Sequence, residues 1–293
     1  MNCLRRKRNQ KEVCNQKEYK YEVDINMKRF VVILSAMLLL LVLLTGCESK
    51  EAKQQEYIGI ISAMDNEVDM LLSEAEIDHV DTIGDIDYHV GTLRDRPVII
   101  AKAGIGKIRS SSGITAMLDK YPVSNVIFTG IAGGIADETQ VLDEVISTRL
   151  IEHDYGKLTD KKLLYATGDP ANATGECAYF DADPKLVDLA YDAATEVVGE
   201  EHCFKGVIAT GDQFIASEEQ VKRLREDFNA YACEMEGAAI AIVCTKYEVP
   251  FVVIRALSDK ADGKAHESYT DMGTKAADNS SRIVLRMLET IGE

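Results

Sequence analysis

The 293-residue sequence contains no tryptophan, only five prolines, and aromatic residues make up just 6% of it. Its seven cysteines form no CxxC pair, and its five histidines show neither an HExxH motif nor another metal-ligand spacing. Zinc ribbons and CxxC redox sites are therefore excluded, and we expect no metal ion and no other cofactor.

Basic residues are scarce relative to acidic ones, and the net charge is −16. The first 46 residues carry nine basic and four acidic side chains, so the remaining chain has 24 basic and 45 acidic ones, a charge of −21. A nucleic-acid partner is excluded on this balance, because phosphate contacts need a basic face. The content of 46% hydrophobic and 28% charged residues is that of a globular protein.

The longest apolar run, Phe30 to Leu44, follows two basic residues near the N-terminus. It is shorter than the roughly 20 residues that a membrane-spanning helix needs, and has the length of a signal peptide. The tetrapeptide Leu-Thr-Gly-Cys47 at its end resembles a bacterial lipobox, in which the cysteine becomes the lipidated N-terminus after cleavage. The pattern predicts a protein anchored by lipid to a bacterial cell membrane, on its extracytoplasmic side. An uncleaved signal anchor is the alternative.

The same pattern divides the chain into four parts. Residues 1–26 lack periodicity and precede Met27, so we interpret them as a non-native or mis-called extension. Residues 27–46 are the predicted lipoprotein signal peptide, and residues 47–56 the lipidated cysteine with a polar tether. Residues 57–293 contain no internal repeat and no proline- or serine-rich linker, which predicts one domain.

Strand-like apolar runs alternate with helical patterns from Tyr57 onward. Several of these runs are continuous in valine and isoleucine, as expected for strands covered on both faces. The pattern predicts an α/β fold with three layers, in which helices cover both faces of a central mixed sheet. The predicted strands are Tyr57–Ile61, Pro97–Ala103, Asn125–Thr129, Glu144–Ile151, Lys205–Thr210 and Phe251–Ala256. The predicted helices are Asn66–Glu76, Lys107–Lys120, Pro184–Val198, Glu218–Phe228, Glu234–Tyr247 and Asp271–Thr290.

Two acids, Glu234 and Glu236, open a predicted helix that is otherwise apolar. A helix that is apolar nearly all round is normally buried, and carboxylates are seldom buried without a partner. The two acids are therefore expected to face a cleft, a cation or a ligand. A helix N-terminus that attracts acids through its dipole is the other interpretation.

Three predicted strands end in glycine-containing turns, around Gly106, Gly133 and Gly211. The first turn is not a P-loop, because Ile108 replaces the required serine or threonine. It is not a dinucleotide fingerprint either, because Arg109 stands in place of the third glycine. Ligands of such sheets lie beyond the carboxyl ends of the strands, where glycine permits close approach.

Six short motifs follow one another between Tyr57 and Ile291, and together they resemble the 5'-methylthioadenosine/S-adenosylhomocysteine nucleosidase family of the nucleoside phosphorylase superfamily. The resemblance implies a nucleoside phosphorylase-like fold, hydrolysis of the N-glycosidic bond of a small adenine nucleoside, and a homodimer. The motifs are Ile-Gly-Ile-Ile-x-Ala-Met-x-x-Glu, Gly-Ile-Gly-Lys, Thr-Gly-x-Ala-Gly-Gly, Gly-Asp-x-Phe-Ile, Glu-Met-Glu and Ile-Arg-Ala-x-Ser-Asp.

The resemblance also implies roles for particular residues. Glu67 is the expected general base that activates water, and Asp259 the general acid that protonates N7 of adenine, oriented by Ser258. Glu236 is expected to hold the ribose 2' and 3' hydroxyls, with Met235 packed beneath the ribose. Further expected contacts are Phe214 stacked on adenine, the backbone of Ile215 at the adenine edge, and Arg255 near Glu67 and the water.

The chain departs from the family in two places. Ile131 stands where family members typically carry serine, and the segment that begins at His153 lacks the usual continuation, so the 5' substituent stays open among methylthioadenosine, adenosylhomocysteine and 5'-deoxyadenosine. A phosphorylase of the same fold is one alternative, although Glu67 would repel phosphate and no arginine accompanies it in its turn. A non-catalytic nucleoside-binding lipoprotein is the other, which the presence of both an acid and a base opposes.

Overall fold

The computed structural model describes residues 27, 30 and 55–291, and residues 55–291 belong to one compact unit. The predicted N-terminal extension, most of the predicted signal peptide, Cys47 and the tether up to Gln54 lie outside the described residues. Among the residues that are described, no helix is both long and apolar enough to cross a bilayer.

A large mixed sheet forms the centre of the unit, with strands in the order β11-β10-β6-β12-β5-β1-β4-β3-β2 and β9 paired to β6. A separate hairpin consists of β7 and β8. The strands are β1 (Tyr57–Ser62), β2 (Glu76–Ile83), β3 (Ile86–Leu93), β4 (Arg96–Lys102), β5 (Val123–Gly134), β6 (Glu144–Glu152), β7 (Gly156–Leu158), β8 (Leu163–Tyr165), β9 (Tyr179–Asp181), β10 (Cys203–Thr210), β11 (Ala230–Glu234) and β12 (Phe251–Asp259).

Strand β5 is the longest strand described and connects the two halves of the sheet. It pairs in parallel with β1 on one side and with β12 on the other. Its last residues, Gly133 and Gly134, also pair antiparallel with Cys233 and Ala232 of β11. This second pairing brings the end of β11 to the same place as the ends of β5 and β12.

Helices cover both faces of the sheet, which confirms the predicted three-layer α/β fold. The long C-terminal helix α6 packs on β5 and β12 together with α1 and α3, whereas α2 and α5 pack on each other. The helices are α1 (Asp65–Glu74), α2 (Lys107–Lys120), α3 (Pro184–Val198), α4 (Glu218–Phe228), α5 (Gly237–Tyr247) and α6 (Ala265–Thr290).

The boundaries of α2, α3 and α4 agree with the sequence prediction, but the start of α5 does not. Glu234 was predicted to open this helix and instead ends β11, where it pairs in parallel with Thr210 of β10. The helix begins three residues later, at Gly237. The reason is local, because the Glu234 carboxylate turns back and accepts hydrogen bonds from the backbone N–H groups of Glu236 and Gly237.

Other parts of the fold also differ from prediction, and the strands β7, β8, β9 and β11 were not predicted. Helix α6 begins at Ala265 rather than Asp271, because its first turns are polar and give little hydrophobic periodicity. The hairpin β2–β3 was missed, and β2 is mostly solvent-facing, with Glu76, where the predicted helix ended, as its first residue. Hydrogen-bond pairing to β3, rather than burial, holds this edge strand in place.

Candidate active site

A cavity of about 270 Å³ lies beyond the carboxyl ends of β1, β11 and β12 and over the last residues of β5. Eight of the nine residues predicted to act on or contact the small molecule line it, and the ninth, Arg255, is not among the described lining residues. The lining consists of Ala63, Met64, Glu67, Ile105, Ile131, Ala132, Gly133, Gln213, Phe214, Ile215, Cys233, Glu234, Met235, Glu236, Ser258, Asp259, His266 and Tyr269.

Glu67 lies in the first turn of α1, directly after β1, and is only 2% exposed. Its Oε2 accepts hydrogen bonds of 2.9 Å from the backbone N–H groups of Ala63 and Met64, and its Oε1 accepts one of 2.9 Å from Ile131. Burial raises the pKa of Glu67, against the opposing effects of the nearby Arg255 guanidinium and these N–H donors. The carboxylate is thus fixed in position and more basic than an exposed glutamate.

Arg255 projects from β12 into a buried cluster of acids. Its Nη2 donates to Glu234 Oε2 at 2.6 Å and lies 3.7 Å from Glu236 Oε2, while the guanidinium carbon lies 4.1 Å from the ring centre of Phe128. Nε and Nη1 of Arg255 are buried without a hydrogen-bond partner among the described residues. The arginine therefore holds the acids that line the cavity by charge and hydrogen bonding. Its Nε and Nη1 groups can still donate hydrogen bonds to a further acceptor.

Glu234 serves the structure in two ways. Its Oε2 accepts from Gly237 N at 2.7 Å, which caps the N-terminus of α5, and its Oε1 bonds the Thr210 hydroxyl. Together with the 2.6 Å bond to Arg255, these contacts give both carboxylate oxygens strong partners.

Glu236 is 6% exposed and follows the end of β11 by two residues. Its Oε1 accepts a hydrogen bond of 2.8 Å from the backbone N–H of Gly106, in the first of the glycine turns. Burial and the neighbouring Glu234 carboxylate raise the pKa of Glu236 to about 8, against the lowering effects of Arg255 and the Gly106 N–H.

Asp259, the last residue of β12, lies in another part of the cavity lining and is 2% exposed. Its Oδ2 accepts a hydrogen bond of 2.8 Å from the Ser258 hydroxyl, and its Oδ1 accepts one of 2.7 Å from the backbone N–H of Ala261. Ala261 is buried and holds a left-handed φ of 53°, which turns its N–H toward the carboxylate. Burial raises the pKa of Asp259, so its protonated form persists to higher pH than that of an exposed aspartate.

An aromatic pair forms part of the cavity wall. The ring of Phe214, which is 52% exposed, meets the ring of Tyr269 edge to face with centroids 6.0 Å apart. Ile215, next to Phe214, is buried. A flat ligand ring can contact the exposed face of Phe214 and be enclosed by the neighbouring apolar residues.

The two positions where the sequence departs from the family differ in their relation to the cavity. Ile131 lines it and packs with Tyr269 of α6. His153 is fully buried, is not a lining residue, and lies against Gly211, where a Cβ atom would be 2.3 Å from its Nε2. Burial lowers the pKa of His153. The loop at His153 is therefore coupled to the turn that carries Phe214 through packing.

Lys107 holds three loops around the cavity together. Its ammonium group lies 2.7 Å from Asp154 Oδ1 and 3.1 Å from Glu152 Oε1, and its backbone N–H donates to Asp212 Oδ1 at 2.8 Å. Asp154 Oδ2 in turn accepts from the backbone N–H of Asp212 at 2.8 Å. The turn before α2, the loop after β6 and the loop after β10 are thereby fixed relative to one another.

Sequence reasoning missed several lining residues, notably Tyr269, His266 and Met64. The signal that could have found the first two is the position of α6 directly after the end of β12, since ligands lie at such strand ends. It was overlooked because the helix was placed six residues too late. Met64 belongs to the first of the six motifs, but nothing in its spacing distinguishes a cavity residue from a core residue.

The charges in the cavity determine what it can do chemically. Glu67, Glu234 and Glu236 surround one guanidinium, so negative charge exceeds positive charge wherever they are ionised. Such a site favours a ligand that carries or develops positive charge. Within the described part of the chain, no cluster of three or more histidine, cysteine or acidic side chains is arranged to hold a metal ion.

Comparison with known proteins identifies the family. The sequence model of the family described as Phosphorylase superfamily matches residues 57–289. A 5'-methylthioadenosine/S-adenosylhomocysteine nucleosidase of Shewanella pealeana is 39% identical over 235 residues, which are 80% of this chain and 99% of that protein. The chain belongs to the 5'-methylthioadenosine/S-adenosylhomocysteine nucleosidase family of the phosphorylase superfamily.

Solved structures agree with this assignment. The nucleosidase of Neisseria meningitidis in complex with methylthio-immucillin-A has a TM-score of 0.72 and 32% identity, covering 80% of this chain and 100% of that one. The futalosine hydrolase of Helicobacter pylori strain 26695 has a TM-score of 0.70 and 32% identity, covering 81% and 99%. The predicted family resemblance and the nucleoside phosphorylase-like fold are thus confirmed.

Proposed function

We propose that the protein hydrolyses the N-glycosidic bond of an adenine nucleoside and releases adenine. The observation that carries this proposal is the presence of two buried carboxyl groups, Glu67 and Asp259, in the wall of one cavity, each with a raised pKa. One is suited to accept a proton from water and the other to donate a proton to the leaving base. The family assignment supports this reaction.

Glu67 is the proposed general base. It removes a proton from a water molecule as the water oxygen forms a bond to C1' of the ribose. The raised pKa makes it a better proton acceptor than an exposed glutamate. Three backbone N–H groups hold its oxygens in place, so little motion is needed before proton transfer.

Asp259 is the proposed general acid. As the bond between C1' and the base breaks, its electron pair moves into the adenine ring, and Asp259 delivers a proton to N7. The Ser258 hydroxyl and the Ala261 N–H fix the orientation of the carboxyl group. Protonation of the leaving base is worth a factor of about 10² to 10⁴ in rate.

The remaining proposed roles are those that the family resemblance implies, and the positions of these side chains in or beside the cavity wall support them. Glu236 contacts the ribose hydroxyls, Met235 packs under the ribose, and Arg255 positions Glu234 and Glu236 beside the sugar and acts on the Glu67 carboxylate through its charge. At the base, Phe214 stacks on adenine and the Ile215 backbone bonds its edge. The acids stabilise the oxocarbenium charge that develops on the sugar.

The 5' substituent of the substrate is not assigned by these contacts. Methylthioadenosine, adenosylhomocysteine and 5'-deoxyadenosine all remain candidates. The relatives are named as nucleosidases of methylthioadenosine and adenosylhomocysteine. In this chain, Ile131 contributes an apolar side chain to the cavity wall at the position where family members typically carry a serine hydroxyl. A comparison of kcat/KM for the three nucleosides identifies the preferred one.

Hydrolysis is favoured over phosphorolysis because the cavity is poor in cations. Among the described lining residues, four are acidic and His266 is the only one that can become positively charged. The decisive experiment measures adenine release from methylthioadenosine by the purified protein, with and without phosphate. We expect equal release and free sugar in both; a sugar phosphate formed only with phosphate identifies a phosphorylase, and absence of release identifies a binding protein.

We also propose that the enzyme is a homodimer and a lipoprotein, anchored at Cys47 on the extracytoplasmic side of a bacterial membrane. The anchor rests on the apolar run and the tetrapeptide Leu-Thr-Gly-Cys47. Mass spectrometry of the membrane fraction should find lipid-modified Cys47 as the mature N-terminus. An intact segment from Met27 to an unmodified Cys47 would refute the anchor, and light scattering of the soluble domain tests the dimer.

A further inference from the structure

Three carboxyl groups share one guanidinium in the wall of the candidate active site. Glu67, Glu234 and Glu236 are at most 7% exposed, and Arg255 is 1% exposed. If all three acids were ionised, the cluster would carry two uncompensated negative charges away from water. Such an arrangement takes up a proton at the acid with the fewest partners.

The three acids differ clearly in their partners. Glu67 accepts three backbone N–H bonds, and Glu234 bonds two backbone N–H groups, a threonine hydroxyl and Arg255 at 2.6 Å. Glu236 accepts a single N–H bond, from Gly106, and its Oε2 lies 3.7 Å from Arg255. Glu236 is therefore the group at which a proton is least costly.

Among residues 55–291, no charged group other than Arg255 compensates the negative charge of Glu236. Lys107 follows Gly106 in the adjacent turn, but its ammonium group is bonded by two acids. Asp259 of β12 adds a further acid, and His266 of α6 is an exposed residue of the cavity lining. The titratable or charged groups that line the cavity are Glu67 on α1, Cys233 and Glu234 on β11, Glu236 itself just after β11, Asp259 on β12, and His266 and Tyr269 on α6. Beside the lining lie Arg255 on β12 and, at the Gly106 turn, Lys107 and Asp212.

We infer that Glu236 is a neutral carboxylic acid in the unliganded enzyme and that it releases this proton to solvent when a cationic ribose-like ring occupies the cavity. The equilibrium is balanced: enzyme with protonated Glu236 plus cationic ligand gives enzyme with ionised Glu236 and bound ligand, plus one free proton. A ligand with an uncharged ring leaves the proton in place.

The electrostatics of the site agree with this assignment. Burial, the Glu234 carboxylate and, as the smallest of these effects, the Glu67 carboxylate raise the pKa of Glu236 to about 8, against the lowering effects of Arg255 and the Gly106 N–H. A cation bound beside the carboxylate lowers that pKa, because it favours the charged form. Near neutral pH the group is therefore protonated without the cation and ionised with it.

The inference rests on the proposed function and adds a property to it. When a neutral nucleoside binds, Glu236 keeps its proton. When a cationic ring binds, Glu236 is ionised, so the site then carries one more negative charge. The site therefore gains attraction for the sugar only as the ring becomes positive, which is binding that discriminates between transition state and substrate.

The test compares two ligands that share one adenine base and differ in a single ring atom. One carries a pyrrolidine, whose nitrogen is protonated near neutral pH, and the other carries the uncharged cyclopentane. Isothermal titration calorimetry in buffers of different ionisation enthalpy counts the protons released on binding. We expect about one proton for the pyrrolidine at pH 6 to 7 and none for the cyclopentane. Release should be half as large near pH 8.

Variants assign the proton to its residue. Release should persist in Glu67→Gln and disappear in Glu236→Gln. If Glu236→Gln binds too weakly for calorimetry, infrared difference spectra supply the second measurement, because the wild type should lose a protonated-carboxyl C=O band when the pyrrolidine binds. This band should be missing from the unliganded Glu236→Gln protein, whose fold is checked by circular dichroism.

Each of three results overturns the inference. They are equal proton release on binding of both ligands, no proton release on binding of the pyrrolidine, and an infrared band that Glu236→Gln leaves unchanged. These failures are distinct from a failure of the proposed function, which appears as an absence of adenine release. An enzyme that releases adenine without proton release on pyrrolidine binding refutes only the inference.

Discussion

Glu67 and Arg255 approach each other over the Cα atom of Gly130. A Cβ atom added at Gly130 would lie 2.3 Å from Glu67 Oε1 and 2.5 Å from Arg255 Nη1. The absence of a side chain at this position of β5 is what allows the proposed base and the buried guanidinium to come close. The glycine is required for this close approach.

Gly130→Ala should therefore impair both folding and activity. The added methyl group must displace Glu67 or Arg255, and such overpacking costs about 1 to 3 kcal/mol. Urea unfolding and adenine release measure the two effects. Gly168→Ala is the matched control, because a Cβ there has no atom within 4 Å, and equal effects of the two substitutions would contradict the explanation.

Asp259→Asn should preserve the fold and most of the ligand affinity while lowering kcat by about 10² or more, because the amide cannot donate the same proton. In the wild type, kcat should also fall as pH rises through the raised pKa of Asp259, since the acid must be protonated to act. Asp271→Asn, at an exposed position of α6, makes the same substitution outside the cavity and should change neither kcat nor its pH dependence. Near-normal turnover of Asp259→Asn would assign the acid elsewhere.

Glu67→Gln should lower kcat by about 10² or more and weaken the binding of an uncleavable substrate analogue far less, because the base acts mainly in the transition state. Steady-state kinetics and calorimetry give the two numbers. Asp69→Asn is the control, since Asp69 is exposed on the same helix. Parallel losses of affinity and turnover would make Glu67 a ligand contact rather than the base.

Glu234→Gln should lower the free energy of unfolding by about 3 kcal/mol, because it removes one charge of a buried ion pair. The side chains of Glu234 and Arg255 are 2% and 1% exposed and 2.6 Å apart. Glu226→Gln breaks the exposed pair with Lys222, at 3.7 Å, and should cost less than about 0.5 kcal/mol. Denaturant titrations give the free energy of unfolding of the two variants. Similar losses of stability in both would argue against a structural role for Glu234.

Glu144→Gln should stabilise the protein increasingly as pH rises. Glu144 is fully buried, and both carboxylate oxygens lack a hydrogen-bond partner in the described residues, so burial raises its pKa well above 4.5. Between the unfolded and folded pKa values only the unfolded state is ionised, which costs the wild type about 1.4 kcal/mol of stability per pH unit. The difference in unfolding free energy between variant and wild type should grow from pH 4 to pH 8; a constant difference would show that Glu144 is not neutral in the fold.

Much of the fold was predictable because its central strands and amphipathic helices carry strong periodicity. Helix α2 and the core of β12 are examples, and both were placed correctly. The polar hairpin β2–β3 was not, because backbone pairing at an edge leaves little hydrophobic pattern. The boundary between β11 and α5 at Glu234 was predicted wrongly for another reason. An apolar sequence that contains the end of a strand and the start of a helix gives no sign of where the strand ends.

The candidate site was predictable to the extent that strand ends converge. Glu67, Phe214, Glu236 and Asp259 each follow or end a strand closely, and they line one cavity. The role of Glu234 as a helix cap could not be read from sequence, because it depends on a side chain that turns back on its own backbone. Tyr269 was missed because the start of α6 was predicted too late, although its position after the end of β12 was a usable signal; its contact with Phe214 depends on how α6 packs.

The pairing of β5 with three strands has a consequence for how the protein folds and unfolds. Residues that line the cavity extend from Ala63 to Tyr269, and the pairing of β5 with β1, β12 and β11 brings these distant segments together. Contacts between residues so far apart in sequence form late and slowly. The cavity should therefore be absent from partly folded chains, and a bound nucleoside should slow hydrogen exchange across both halves of the sheet at once.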